Sequence, residues 1–96
     1  MKLLAHNRIR RQHDAAKYQF VITELDLAIT FGEIALSSGD QRKAERNAEN
    51  AKRAHSSAQH FLRDAHFDEK MGREVNHRLA HIARLLQLLE NRPQHD

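Results

Sequence analysis

The stretch from Tyr18 to Leu36 constrains the fold most, because its apolar residues repeat at the period of an α-helix and occupy most of its circumference. One face carries apolar and small residues spaced by three and four. Its members are Tyr18, Val21, Ile22, Leu25, Ala28, Ile29, Gly32, Ala35 and Leu36. A second seam of large residues lies on a different side of the helix: Phe20, Leu27, Phe31 and Ile34. A helix of this kind is buried on more than one side.

Two interpretations of the second seam are open at this point. In the first, two later helices cover one seam each, and the second seam belongs to the core. In the second, this seam faces another molecule. The choice matters because a chain of 96 residues has few other elements with which to cover it.

Composition favours helices over strands. The chain has three glycines, one proline and few β-branched residues, and no alternating strand pattern stands out. Its length fits one domain. The absence of cysteine excludes disulfides, thiolate catalysis and Cys-ligated zinc. The net charge of +3 comes from well-mixed signs, which is weak evidence for a nucleic-acid partner.

The first 13 residues form a basic segment that extends the first helix or precedes it. The apolar run at Leu3 and Leu4 is too short for a signal peptide, and no stretch approaches the roughly 20 apolar residues of a membrane span. We therefore expect a soluble cytoplasmic protein without a membrane partner. Asp14 is predicted to cap the first helix, which then runs over 14–38.

The sequence Ser37-Ser38-Gly39-Asp40 predicts a tight turn. Gly39 suits the left-handed position that ends a helix, and Asp40 suits the N-cap of the next. The second helix is predicted over 40–66. Its packing seam has the strict 4, 3 spacing of a helix–helix contact. The seam consists mostly of alanines: Ala44, Ala48, Ala51, His55, Ala58 and Leu62. Opposite charges on the other face predict a solvated surface with local ion pairs.

Asp68 is predicted to cap a third helix over 69–91. Its seam contains Met71, Val75, Leu79, Ile82, Leu86 and Leu89, and Leu85 and Leu88 extend the apolar zone to one flank. Pro93 prevents further helix, and residues 92–96 are predicted to form a disordered tail.

These elements predict an all-α protein, an antiparallel up-down-up three-helix bundle with long helices in a single domain over 14–91. One alternative is open. The 3/4 pattern can be traced through residues 64–72, which would give a two-helix hairpin with one very long second helix. Such a hairpin could not cover its own apolar faces and would have to dimerise.

From Leu27 to Ala54 the spacing resembles one tetratricopeptide-type hairpin. Gly32, Gly39-Asp40, Ala44 and Ala51 fall where that repeat has its small residues and its turn. Ala28 and Ala35 stand where the repeat has large residues, and Ser56 stands where a proline is usual. The resemblance, over about a third of the chain, implies hairpin geometry and protein binding.

Candidate sites for chemistry are few. Glu74, His77 and His81 share a helix face, and Glu-x-x-His is the unit that di-iron bundles carry twice. It occurs once here, so we expect a solvent or interface flank, no metal and no cofactor. His55 either sets helix register or is a half-buried histidine with a polar partner. No nucleophile–base pair or phosphate-binding loop is visible, and we do not expect an enzyme.

The sequence thus favours a small helical protein–protein interaction module that self-associates. Its predicted partner is its own copy or another helical protein. The predicted interface contains Phe20, Leu27, Phe31, Ile34, Leu85 and Leu88. Two alternatives are a nucleic-acid-binding protein, which would use the basic first segment and the second helix, and a metal-binding helical bundle.

Overall fold

The computed structural model describes the backbone of residues 2–92 and the side chains of residues 12–92. Three helices make up the fold: α1, Lys2–Ser37; α2, Gln41–Leu62; and α3, Glu69–Glu90. Within these described residues there is no strand. The all-α three-helix prediction is confirmed. The two-helix alternative is wrong, because α2 ends at Leu62 and a separate helix begins at Glu69.

Aromatic and polar contacts define the direction of each helix. The short turn after Ser37 returns α2 along α1, and the rings of Phe20 and Phe61 meet at the other end of the pair. Tyr18 contacts Phe67 just before α3, whereas Arg92, just after it, reaches the end of α1. The order is therefore up-down-up. α1 packs on both other helices, while α2 and α3 touch each other only marginally.

Both predicted N-caps are present. The Asp40 side chain accepts a hydrogen bond from the backbone N–H of Lys43 at 3.1 Å, and Asp68 accepts one from Met71 at 2.8 Å. Each satisfies a backbone donor that has no partner within the first helical turn. α2 ends at Leu62 rather than near residue 66. The earlier end lets Phe67 pack edge-on against Tyr18.

The end of α1 differs from the prediction. No residue in the described part, glycine included, has a positive φ, so Gly39 does not adopt the left-handed conformation. Arg92 instead donates to the carbonyl oxygens of Ala35 and Ser38 at 2.6 and 3.0 Å. Its guanidinium satisfies carbonyls that lack partners at a helix C-terminus and places a positive charge at the negative end of the dipole. Arg92 is thus not part of a tail, and residues 93–96 lie outside the described residues.

The start of α1 is also different. The helix begins at Lys2, so Asp14 lies inside it and is not its cap. At 1.5 Å per residue α1 is about 54 Å long, against about 33 Å for each of the others. Because Tyr18 meets the α2–α3 connection, residues 2–17 extend past the other two helices. We call residues 2–17 the arm.

The core lies along the inner side of α1. Val21, Leu25 and Ala28 are fully buried there, as are Ala51 and Ala58 on α2. Small side chains on α2 let the two backbones approach closely, so the larger residues of α1 fill the space between them. From the predicted α2 seam, Ala44 is also buried, and Ala48, His55 and Leu62 are half-buried.

Candidate interaction surface

The outer side of α1 exposes most of the second seam. Phe20, Leu27 and Ile34 are 38%, 43% and 37% exposed. These three residues are spaced by seven, so they lie one above another along the helix. Phe31 is half-buried and packs against the core from the side. We call Phe20, Leu27 and Ile34 the outer stripe.

α2 borders the outer stripe but does not cover it. Phe61 is the α2 residue that reaches it, with its ring centroid 4.4 Å from that of Phe20. Phe61 is itself 40% exposed. The contact therefore widens the apolar surface instead of burying it.

α3 packs on the opposite flank of α1, where the polar residues lie. The Nε of Arg78 is 2.8 Å from Oδ1 of Asp26, and its Nη1 is 3.0 Å from Oε2 of Glu74. The hydrogen bonds to Asp26 and Glu74 raise the pKa of Arg78, so it stays charged. Further along, His81 lies 3.8 Å from Glu33. The interpretation in which α2 and α3 cover one seam each is therefore wrong for the outer stripe.

The two leucines predicted on the flank of α3 have different environments. Leu88 is 44% exposed, the largest fraction among the exposed large apolar residues of the described part. Leu85 is 8% exposed and belongs to the core, so its placement on the flank was wrong. The reason is Gly32: a Cβ at that position would lie only 3.3 Å from Cδ1 of Leu85. The missing side chain leaves room for the leucine.

The charged face of α2 is less paired than the sequence indicated. Among the described side chains, one ion pair forms within α2, between Lys52 and Glu49 at 3.8 Å. The remaining cations of residues 41–53 have no carboxylate within ion-pair distance there: Arg42, Lys43, Arg46 and Arg53. Lys43, Arg46 and Arg53 lie on the same side of α2 as Phe61, by the helical period. The outer stripe thus has a basic flank.

The metal candidates do not converge. Glu74 is engaged by Arg78, His81 faces Glu33, and His77 is exposed. Nowhere between residues 12 and 92 do three histidine or acidic side chains cluster to hold a metal ion.

His55 lies half-buried in the alanine seam of α2. Burial removes water from the imidazole and lowers its pKa, because the charged form loses more hydration than the neutral form. No buried side-chain nitrogen or oxygen in the described part lacks a hydrogen-bond partner. The lowered pKa favours the neutral form of His55, and no hydrogen bond of its side chain is formed within the described residues.

Sequence reasoning missed an open groove between α2 and α3. Its volume is about 730 Å³, and it lies at the end of the molecule near Gly39. Ala44 and Ala48 line one wall, and Leu86 and Leu89 line the other. The small residues of α2 opposite leucines of α3 were the signal that could have indicated it. Its lining carries mixed charge, from Glu45, Glu49 and Glu90 together with Lys52 and Arg92.

Over residues 2–92, no helix is long and apolar enough to cross a membrane. No family model matches the sequence, and neither a curated protein nor a solved structure matches it significantly.

Proposed function

We propose that this protein is a small, non-catalytic helical interaction module that self-associates through the outer stripe of α1. The observation that carries the proposal is the exposure of Phe20, Leu27 and Ile34, between 37% and 43% each, on one line along the helix. Single exposed apolar residues are ordinary on protein surfaces, whereas contiguous apolar patches mark interaction sites. Phe31 and Phe61 border the line and enlarge it.

The energetic gain supports association of modest strength. Burying a large apolar side chain completely is worth about 1.5–3 kcal/mol. Since less than half of each stripe residue is still exposed, the gain is on the order of 1 kcal/mol per residue. A two-fold interface uses the same surface on both copies, so the gain is counted twice. A second copy is the proposed occupant because it necessarily presents a matching apolar stripe.

Two further features fit this proposal. Leu88 is exposed on α3, beyond the polar flank of α1, and we place it at the periphery of the interface. The tetratricopeptide-like spacing from Leu27 to Ala54 is typical of hairpins that bind other proteins. Leu85 is not part of the proposed surface, because it is buried.

The test is a charge substitution at the centre of the stripe. Leu27→Glu changes an exposed residue, so the monomer should keep its helical circular dichroism while native mass spectrometry shows loss of the dimer. Ala80→Glu introduces the same charge at an exposed position of α3 outside the stripe and should leave the dimer intact. A wild-type protein that is monomeric at high micromolar concentration would contradict the proposal.

Two more variants define the borders of the surface. Leu88→Glu should weaken the dimer less than Leu27→Glu, because a peripheral residue keeps more of its water in the complex. Phe31→Glu should lower both the dimer fraction and the melting temperature, because Phe31 also packs against the core. Equal effects of Leu88→Glu and Leu27→Glu would place α3 at the centre instead.

A second function, nucleic-acid binding, rests on the cations of α2 that have no ion-pair partner in the described part. Arg46 and Arg53 lie on one side of that helix, and the arm adds further basic residues. Binding through phosphates would weaken steeply with added salt. Fluorescence anisotropy with a short DNA duplex tests this: loss of binding at raised salt and in Arg46→Glu/Arg53→Glu would support it, and no binding at low salt would exclude it.

A further inference from the structure

We propose that the two copies pair with their α1 helices parallel, related by a two-fold axis that runs along α1. This orientation rests on the self-association proposed above. It follows from two separate observations: how far the exposed stripe extends along α1, and how charge is distributed on its two sides.

The first observation is that the stripe continues into the arm with coiled-coil spacing. Successive positions are separated by three and four residues, and every one of them is exposed. They are His13, Ala16, Phe20, Thr23, Leu27, Thr30 and Ile34. We call these seven residues the extended stripe. This is the a/d spacing by which two helices pack along a seam. It therefore covers both the part of α1 inside the bundle and the end of the arm next to it.

Only a parallel pair covers this whole length. An antiparallel pair centred on Leu27 would set Phe20 opposite Ile34 of the other copy and Ala16 opposite its Ser38, just past the end of α1. The arm before Ala16 would then face no α1 helix. In a parallel pair each residue of the extended stripe meets the same residue of the second copy, and the two arms run side by side.

The second observation concerns charge. Between Tyr18 and Ser37, α1 carries three acidic residues and no cation: Glu24, Asp26 and Glu33. Asp26 and Glu33 lie on the flank that faces α3, as their contacts with Arg78 and His81 show. The other flank of the stripe is formed by α2, with Phe61 against Phe20 and with Arg46 and Arg53 on the same side of that helix. By the helical period Glu24 lies on the α2 side of the stripe. Asp26 and Glu33 thus make one flank acidic, and the other flank carries more cations than carboxylates.

A two-fold axis along α1 brings opposite flanks together. Each α2 then lies beside the acidic flank of the other copy's α1. α1 and α2 are antiparallel, and the Phe20–Phe61 contact fixes which of their residues lie side by side. Counted from that contact, Arg53 lies within two residues of the height of Asp26 along the helix axis. Arg46 lies within two residues of the height of Glu33. Two residues of helix correspond to about 3 Å, which an arginine side chain spans easily.

A two-fold axis perpendicular to α1, which an antiparallel pair requires, brings like flanks together. The α2 helices of the two copies would lie next to each other, and Lys43, Arg46 and Arg53 of one would face the same three cations of the other. Like charges across an interface disfavour that orientation. Because Asp26 and Glu33 already have partners on α3, the charges select the orientation more than they add to affinity.

The test is disulfide cross-linking of single-cysteine variants, which is unambiguous because the protein has no cysteine of its own. Ala16→Cys and Thr30→Cys place thiols at two exposed positions of the extended stripe without removing a large apolar residue. In a parallel pair each thiol meets its own copy at a distance suited to a disulfide. Both variants should form covalent dimers under mild oxidation, and Ala80→Cys, outside the stripe, should not.

Each other outcome overturns a definite part of the account. Cross-linking of Ala16→Cys only when it is mixed with Ser38→Cys would show an antiparallel pair, and the orientation alone would be wrong. A wild-type dimer in which no stripe cysteine cross-links would place the interface elsewhere and overturn both proposals. A monomeric wild-type protein would also overturn both.

Charge reversal gives a second readout that does not depend on cysteine chemistry. In the parallel pair, Arg46→Glu/Arg53→Glu sets acidic residues against Asp26 and Glu33 and should raise the dissociation constant. In an antiparallel pair the same variant would exchange repulsion between arginines of the two α2 helices for repulsion between carboxylates, offset in part by Lys43, and should not raise the dissociation constant. An unchanged or lower dissociation constant would contradict the parallel orientation.

Discussion

The inner and outer sides of α1 have nearly the same chemistry in the sequence and different fates in the structure. On the inner side Val21 and Leu25 are fully buried. On the outer side Leu27, two residues further, is 43% exposed. The inner side meets the alanines of α2, and Gly32 admits Leu85 of α3. On the outer side Phe61 of α2 contacts Phe20 but stays 40% exposed, and the described chain does not enclose the stripe. Apolar content alone therefore does not decide which side of a helix becomes core.

The largest expected effect comes from truncating one leucine on each side. Leu25→Ala removes a fully buried side chain and should lower the free energy of unfolding by about 2–5 kcal/mol. Leu27→Ala removes a side chain that is 43% exposed and should lower the stability of the monomer by about 1 kcal/mol, well below the loss for Leu25→Ala. Urea unfolding of both variants, at a protein concentration where sedimentation shows one chain, measures the difference.

Comparable losses of unfolding free energy in Leu25→Ala and Leu27→Ala would contradict the difference in burial between the inner and outer sides. That result would mean that Leu27 is covered within the monomer. A small loss for Leu25→Ala would mean that the inner side is not the core.

Ala51→Leu tests how closely the inner side of α1 approaches α2. Ala51 is fully buried in the α2 seam, and extra carbon atoms there force the two helices apart. Overpacking of this kind costs about 1–3 kcal/mol. Thermal unfolding should show a clear drop in melting temperature, while Ala83→Leu, at an exposed position of α3, should show almost none. An unchanged melting temperature for Ala51→Leu would mean that Ala51 does not face α1.

Alanine substitutions of Gly32 in α1 and Gly72 in α3 test the packing of the inner side of α1 through smaller changes in stability. At Gly72 in α3 no atom lies within 4 Å of an added Cβ, so Gly72→Ala should stabilise the protein by up to about 1 kcal/mol through helix propensity. At Gly32 the same change brings the Cβ against Leu85, which has to shift. Gly32→Ala should therefore gain less than Gly72→Ala in chemical denaturation. An equal gain in stability would show that the α1–α3 contact accommodates the added methyl group without loss.

The smallest effect is a pH dependence at His55. Burial lowers its pKa in the folded protein below the value in the unfolded chain, which is about 6.5. At a pH well above 6.5 the imidazole is neutral in both states and its contribution is complete. As the pH falls below 6.5, the unfolded chain takes up the proton more readily, so stability decreases until the folded pKa is passed.

His55→Gln removes this titration and keeps a polar side chain of similar size. The difference in unfolding free energy between wild type and His55→Gln should therefore shrink or reverse between pH 7.5 and pH 5.5. A difference that is constant over this range would mean that His55 is fully hydrated in the folded protein.

Local features of the fold were readable from the sequence, and long-range ones were not. Asp40 and Asp68 were predictable as caps because each bonds a backbone N–H three residues away. Asp14 was misjudged because a cap preference of about 1 kcal/mol is outweighed when good helix formers continue on both sides. The end of α1 was misjudged because its capping donor, Arg92, is more than 50 residues away.

The same limit applied to the candidate surface: its local spacing was predictable, and its long-range packing was not. The period of α1 identified Phe20, Leu27 and Ile34 as a set, because that depends only on spacing. Which side of α3 the leucines occupy was not predictable, because Leu85 enters the core through the space at Gly32. The basic flank of α2 was also missed, since spacing allows ion pairs that the side chains do not form.

Sedimentation equilibrium of the wild-type protein tests the central claim most directly. The account predicts a reversible increase from the mass of one chain to that of two as the concentration rises through the micromolar range. Leu27→Glu should stay at the mass of one chain throughout. A wild-type protein that has the mass of one chain at the highest concentration, indistinguishable from Leu27→Glu, would contradict the claim that the outer stripe of α1 is an interface.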